Sequence, residues 1–259
     1  MQNENTDKTE YVAYFSGGKD SAATVALAHE KNEPLDEIIF IEVMYSKTIS
    51  GELPEHIDFV KNTAFPIFEK WGYRTKIIKA DKNYLDCFHH IVTKSNHADR
   101  IGKKAGFPMS GMCMINRECK LRAIRNYKIS KIGYKTIQYI GIAEDEPERL
   151  RRLNAGKISL LKKYGYDEKR AKEKAEQYGL LSPCYNYSNR GGCWFCPNSR
   201  LKELRHLRNF HPDLWQELLK LEKTPDIVGD VWDTRNRISI HEIEDLLYWE
   251  SRQMTVYEL

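Results

Sequence analysis

The sequence predicts an α/β fold: a Rossmann-like parallel sheet with helices on both faces, followed by a helical C-terminal lobe. Three observations carry this expectation. Short apolar, β-branched runs alternate with helix-forming stretches over the first 146 residues. The first of those runs ends in a glycine turn that opens a helix. After Glu144 the strand pattern gives way to helical segments. The expected domains are therefore an α/β core over residues 1–146 and a helical lobe over residues 147–259.

Tyr11–Phe15 reads as a strand, and Ser21–Glu30 (SAATVALAHE) is rich in helix formers, with Asp20 or Ser21 available as N-cap. Glu37–Met44 (EIIFIEVM) has the continuous apolar character of a strand buried on both faces. Glu55–Trp71 spaces Ile57, Val60, Ala64, Ile67 and Phe68 as a helix does. Thr75–Lys79 and Thr136–Ile142 read as further strands, with helices around Tyr84–Ser95 and Cys119–Lys128. Beyond Glu144, helices are expected at Glu148–Leu161, Asp167–Tyr178, Ser199–Asn209, Pro212–Lys220 and Ser239–Glu250, with no strand.

Composition is that of an ordinary globular chain, 41% hydrophobic and 30% charged. The polar opening MQNENTDKTE lacks the features of a signal or transit peptide, and no apolar run approaches a membrane span, so a cytoplasmic protein with no membrane partner is expected. Net charge is only +4, but basic residues cluster. Arg117, Lys120, Arg122, Arg125, Lys128, Lys131 and Lys135 face a single acid, Glu118, and Arg190, Arg200, Lys202, Arg205 and Arg208 face Glu203. Such stripes track a phosphate backbone or form a solvated helix face, and sequence leaves both open.

The glycine turn is Ser16-Gly17-Gly18-Lys19-Asp20-Ser21. It lacks the four-residue spacer of a Walker A loop, yet it joins a strand to a helix at the sheet edge where such folds bind ligands. Two glycines let backbone N–H groups converge on an anion, and the helix N-terminus adds partial positive charge. Lys19 supplies a cation, and the Ser16 and Ser21 hydroxyls are available to donate. Asp20 can help hold Mg²⁺ against phosphates.

Six cysteines in a reducing compartment suggest thiols or metal ligands rather than disulfides. Cys193-x-x-Cys196 is a metal knuckle needing two further ligands, and Cys113 and Cys119 are the best source. Cys184 could replace one ligand. His206 and His211 could complete a finger-like set, although the spacer of 9 residues falls short of the usual spacing of about 12. Cys87, on an apolar helix, reads as a buried small side chain. Four thiolates suit either Zn²⁺ or a [4Fe–4S] cluster.

The SGGKDS string resembles the PP-loop of the adenine nucleotide alpha-hydrolase-like superfamily, and two further segments resemble its phosphoadenosine phosphosulfate (PAPS) reductase family. Gly51, Pro54 and Glu55 match that family's Gly and Pro-Glu-Thr segment, with His56 where Thr is frequent. Gly141, Glu144 and Arg149 in GIAEDEPERL match its nucleotide-contacting segment, with Ala143 where Arg is frequent. The resemblance covers roughly the first 150 residues. It implies adenine-nucleotide binding by Ser16–Ser21, Gly141, Glu144 and Arg149, with Lys19 and Asp20 catalytic. PAPS or adenosine phosphosulfate reduction would need a C-terminal nucleophilic cysteine, but none follows Cys196.

The expected activity is therefore that of an ATP pyrophosphatase-type adenylating enzyme using ATP with Mg²⁺. With the basic stripes, tRNA or DNA is the expected acceptor, and a sulfur donor protein a candidate partner, making the chain sulfurtransferase-like. A sulfur-transfer reading tilts the metal toward the cluster over zinc. The contrasting expectation is a nucleotide-gated nucleic-acid-binding module that senses ATP without releasing pyrophosphate.

Overall fold

A computed structural model describes residues 8–108, 113–130, 133–189, 191–233 and 236–257. The chain runs β1 (Lys8–Phe15), α1 (Lys19–Glu30), β2 (Glu37–Ile41), α2 (Pro54–Phe59), α3 (Phe65–Lys70), β3 (Arg74–Ile78), α4 (Tyr84–Phe88) and β4 (Lys104–Gly106). It continues through α5 (Arg122–Ser130), β5 (Tyr134–Tyr139), α6 (Pro147–Leu150), β6 (Lys157–Ile158), α7 (Leu160–Lys163) and α8 (Glu168–Gln177). Last come α9 (Leu201–Phe210), α10 (Pro212–Glu222), β7 (Ile227–Gly229) and α11 (Ile240–Tyr257).

Two compact units emerge, and each is woven from separate stretches. The first comprises Met1–Glu42, Glu52–Lys79 and Lys120–Gly191; the second comprises Val43–Gly51, Ala80–Cys119 and Gly192–Leu259. The units therefore do not divide at residue 146. The segment after Glu144 contains β6, which pairs in parallel with β5 through Gln138↔Lys157 and Tyr139↔Ile158. The helix expected over Glu148–Leu161 is thus broken into α6, a strand and α7. Two residues of strand are too few for periodicity to reveal; only the neighbouring strand recruits them.

The first unit is a five-stranded parallel sheet in the order β3-β2-β1-β5-β6, flanked by helices. All five residues of β2 are buried, as its unbroken apolar run requires. α1 is buried from Ser21 to Ala28, because its alanines let β1, α7 and α8 approach closely. Its N-cap is Gly18, with no side-chain cap, so neither Asp20 nor Ser21 plays that part. α2 and α3 run on through a π-helical turn, Val60–Ala64. Phe15, Phe40, Phe59 and Phe68 pack in the core beneath.

The second unit combines α4, α9, α10 and α11 with a short parallel pair, β4 and β7. The helix expected over Tyr84–Ser95 ends at Phe88. An aromatic cluster organises this unit: Phe195 lies 4.1 Å from Tyr84, Trp194 lies 4.6 Å from Tyr45, and Phe107 lies 5.7 Å from Trp232, between ring centroids. No described helix is long and apolar enough to cross a membrane.

Candidate phosphate-binding site

The strand order places the functional loop. From β1 the sheet extends to β2 on one side and β5 on the other, so the carboxyl ends of β1 and β5 flank a topological switch point. Ser16–Ser21 leaves β1 there, and Gly141 follows β5. A Cβ on Gly141 would fall 2.7 Å from the Ser21 amide nitrogen, so this glycine lets the β5 end close against the loop.

Both serine hydroxyls are engaged within the loop, contrary to the expectation that they donate to a ligand. The Ser21 hydroxyl donates to Gly18 O (2.9 Å), so Ser16 Oγ, 3.1 Å away, must donate to Ser21 Oγ. Ser21 Oγ also accepts from Ser16 N (3.1 Å), and Ser16 Oγ accepts from Gly18 N (3.4 Å). Both serines therefore lock the turn instead of offering protons to a ligand. Gly17 takes φ +70°, which favours glycine. Among the described hydrogen bonds the Asp20 and Ser21 amides find no acceptor, whereas the Lys19 amide donates to Tyr185 Oη at 2.9 Å.

The Lys19 ammonium lies 2.7 Å from Asp20 and 3.1 Å from Glu168. Burial works against its charge, but the two carboxylates more than offset it and raise its pKa. At Asp20 burial dominates, and with Glu168 and Glu146 nearby its pKa is raised although Lys19 opposes this. The partners thus respond alike where a lone ion pair would split them. Burial of Asp20 makes the difference, and the Glu168 and Glu146 charges add to it.

The structure separates the remaining expected nucleotide contacts. Glu144 is exposed, its side chain directed toward Gly165, and Arg149 pairs with Glu146 at 2.5 Å. Glu146, not Glu144, is the acid whose charge reaches Asp20. Sequence reasoning missed Glu146, Glu168, Tyr185, His56 and Ser182. Of these only His56 carried a sequence signal, as a departure from the family's threonine. His56 Nε2 lies 3.1 Å from Ser16 O, and Nδ1 lies 2.8 Å from Ser182 Oγ. Burial lowers this histidine's pKa, but the Cys184 thiol, the Glu52 charge and the Ser16 carbonyl outweigh it and leave it raised.

Gly51 belongs to the second unit, where a Cβ would fall 2.7 Å from Val43 O and 2.9 Å from the Phe195 ring. Its role is therefore close packing, while Pro54 and Glu55 open α2 in the sheet unit.

Cys113, Cys119, Cys193 and Cys196 all lie in the second unit. Trp194 and Phe195, between the knuckle thiols, are buried core residues, and Trp194 Nε1 donates to Ser50 O at 2.8 Å. Tyr84 is fully enclosed, its hydroxyl has no hydrogen-bond partner, and Cys113, Cys193 and Cys196 all act on it electrostatically. Cys87 is not an isolated thiol: its Sγ lies 3.9 Å from that of Cys119. The hydrogen bond to Cys87 and burial raise the Cys119 pKa, and the bond from Cys119 lowers that of Cys87. The spacing matches the edge of a thiolate tetrahedron about 3.8 Å long, from Zn–S bonds of about 2.3 Å. Among the described residues, however, no three thiols lie mutually within 4.8 Å. The donor types fit a thiolate-bound ion, but the four expected ligands are not gathered into a closed site. His206 and His211 stand 5.7 Å apart between ring centroids, in the same unit.

The basic residues differ in freedom. Arg208 is bidentate to Glu244 at 2.8 Å, and Arg205 meets Glu250 at 2.7 Å. Arg200 and Lys202 are exposed on the same stretch, and Arg125 and Lys128 are exposed on α5. Lys131 and Arg190 lie outside the described residues.

No family model matches the chain. It is 26% identical over 224 residues, 80% of its length, to an uncharacterized protein of Methanocaldococcus jannaschii. The chain spans 46% of that relative's length, and the relative has no stated activity to compare.

Proposed function

We propose that the sheet unit is a PP-loop nucleotide site of the PAPS reductase type, and that the protein is an ATP-dependent adenylating enzyme. The observation that carries this reading is the loop itself. At a sheet switch point it presents two unpaired amides and a lysine, with three carboxylates nearby. The amides and Lys19 receive the β- and γ-phosphates of ATP; Asp20, with Glu168 and Glu146, would hold Mg²⁺, which would supply further positive charge against the phosphates. An acceptor oxygen attacks the α-phosphorus, the bond to the β-phosphate oxygen breaks, and pyrophosphate leaves with its charge stabilised by the loop. A sulfur nucleophile then displaces AMP from the adenylated acceptor.

Exposed Arg200, Lys202, Arg125 and Lys128 favour tRNA or DNA as acceptor, with sulfur delivered by a donor protein. In this reading Cys113, Cys119, Cys193 and Cys196 would hold Zn²⁺ or a [4Fe–4S] cluster, a structural role separate from the adenylation chemistry. The deciding experiment is pyrophosphate release from Mg·ATP with tRNA and with DNA. Wild type should turn over, and Lys19→Ala and Asp20→Ala should fold normally but lose at least about a hundredfold in rate. ATP binding with no release by wild type would identify a nucleotide-gated module instead.

A further inference from the structure

We infer that His56 is a positioning residue which sets the shape of the phosphate loop from behind. His56 is 2% exposed, and its ring nitrogens face the Ser16 carbonyl of the loop and the Ser182 hydroxyl of a turn far along the chain, with the Cys184 thiol of that same turn beside it. Nε2 faces the Ser16 carbonyl, which has no proton to give, so Nε2 carries the hydrogen and donates. Nδ1 faces the Ser182 hydroxyl, which donates to a neutral ring and accepts from a charged one. The bond to Ser16 therefore survives either protonation state. Ser182 Oγ also accepts from Cys184 N at 3.3 Å, tying the imidazole to the turn Pro183–Asn186.

The second half of the device is steric. A Cβ on Gly17 would fall 2.5 Å from Nε2, so the imidazole edge occupies the space any other residue would fill. Glycine at 17 is required twice, by its φ of +70° and by this ring. Phe40 and Phe59, with centroids 6.1 and 6.4 Å away, hold the ring in place. With the Ser16 carbonyl anchored, the next peptide planes have little freedom, and the directions of the Asp20 and Ser21 amides follow. His56 acts through the Ser16 and Gly17 backbone.

The functional consequence rests on the phosphate reading above, so the test separates the two. Wild type, His56→Leu, His56→Gln and Ser182→Ala are compared by amide NMR of Gly17–Ser21 without ligand, by calorimetric titration with pyrophosphate and Mg·ATP, and by thermal melting. In His56→Leu the Gly17 and Gly18 resonances should shift, and affinity should fall about tenfold. His56→Gln, whose amide can donate to Ser16 O, should recover affinity to within about threefold of wild type. Folded His56→Leu with unmoved loop resonances and unchanged affinity would overturn the proposal. If that variant does not fold, His56→Gln decides: its amide can restore the Ser16 bond but not the imidazole edge against Gly17, so a Gly17 resonance identical to wild type overturns the proposal. A wild type that binds neither ligand defeats the phosphate reading, while the ligand-free spectra still decide whether His56 shapes the loop.

Discussion

At the scale of single residues, the loop contains groups whose hydrogen bonds hold its shape and groups that, in the proposed reading, remain for an anion. Ser21 is of the first kind. Ser21→Ala removes the donor to Gly18 O and the acceptor for Ser16 N, so it should destabilise the protein by about 1–2 kcal/mol in urea unfolding. Tyr185 is of the second kind. Burial raises its pKa, so it remains a protonated phenol, and having accepted from the Lys19 amide it retains its own proton to donate. Tyr185→Phe should weaken pyrophosphate binding up to about tenfold with little change in melting temperature, as titration calorimetry would measure. Tighter binding would mean that the phenol obstructs the site.

Between elements, two sets of ion pairs make contrasting predictions. Glu30 on α1 meets Lys174 on α8 at 2.7 Å. Hydrogen bonds from Lys174 and Lys31 hold the Glu30 carboxyl down at about 2. Because this pKa lies below its unfolded value of about 4.3, the stabilisation is complete above pH 5 and is lost as pH falls toward 2. The Glu30 side chain is 29% exposed, so solvent screening limits the effect to about 1 kcal/mol. Melting curves from pH 6 to pH 3 should show a smaller decline for Glu30→Gln than for wild type. On α9, Arg208 is held by Glu244, which also accepts from Trp215 Nε1 at 2.5 Å. Arg208→Glu would set two carboxylates face to face and should lower the melting temperature whatever the protein binds. Arg200→Glu with Lys202→Glu should leave melting unchanged but reduce tRNA or DNA affinity and the steepness of its salt dependence in anisotropy titrations.

For the molecule as a whole, the thiols are where composition and packing meet. Anaerobic purification followed by metal analysis and visible spectroscopy should find one centre per chain, with loss of metal in Cys193→Ser and Cys196→Ser. Because Cys87 sits beside Cys119, Cys87→Ser should also lower metal content if the 3.9 Å pair is a ligand edge. Unchanged occupancy in Cys87→Ser would return it to the role of a buried small side chain. Where metal draws these thiols together, its removal should lower the melting temperature, since the binding energy is then also folding energy.

The local features are legible in the residues alone: the strand–glycine turn–helix at Phe15–Ser21, the buried strand Glu37–Ile41 and the amphipathic α8, α9 and α10. Each is set by neighbours within one helical turn or one strand, where apolar period and glycine freedom dominate. Which distant residues gather at the candidate site follows from folding instead. Glu168 and Tyr185 reach Lys19 across 149 and 166 residues, and Ser182 reaches His56 across 126. No period or spacing encodes such partners, because they are chosen by which segments share a sheet edge. The same reason moved the unit boundary. β6 is a strand because β5 offers it a ladder, and Lys120–Gly191 joins the sheet because α8 packs on α1. Local propensity sees one segment at a time, whereas burial and hydrogen-bond pairing act on segments the chain brings together only when folded.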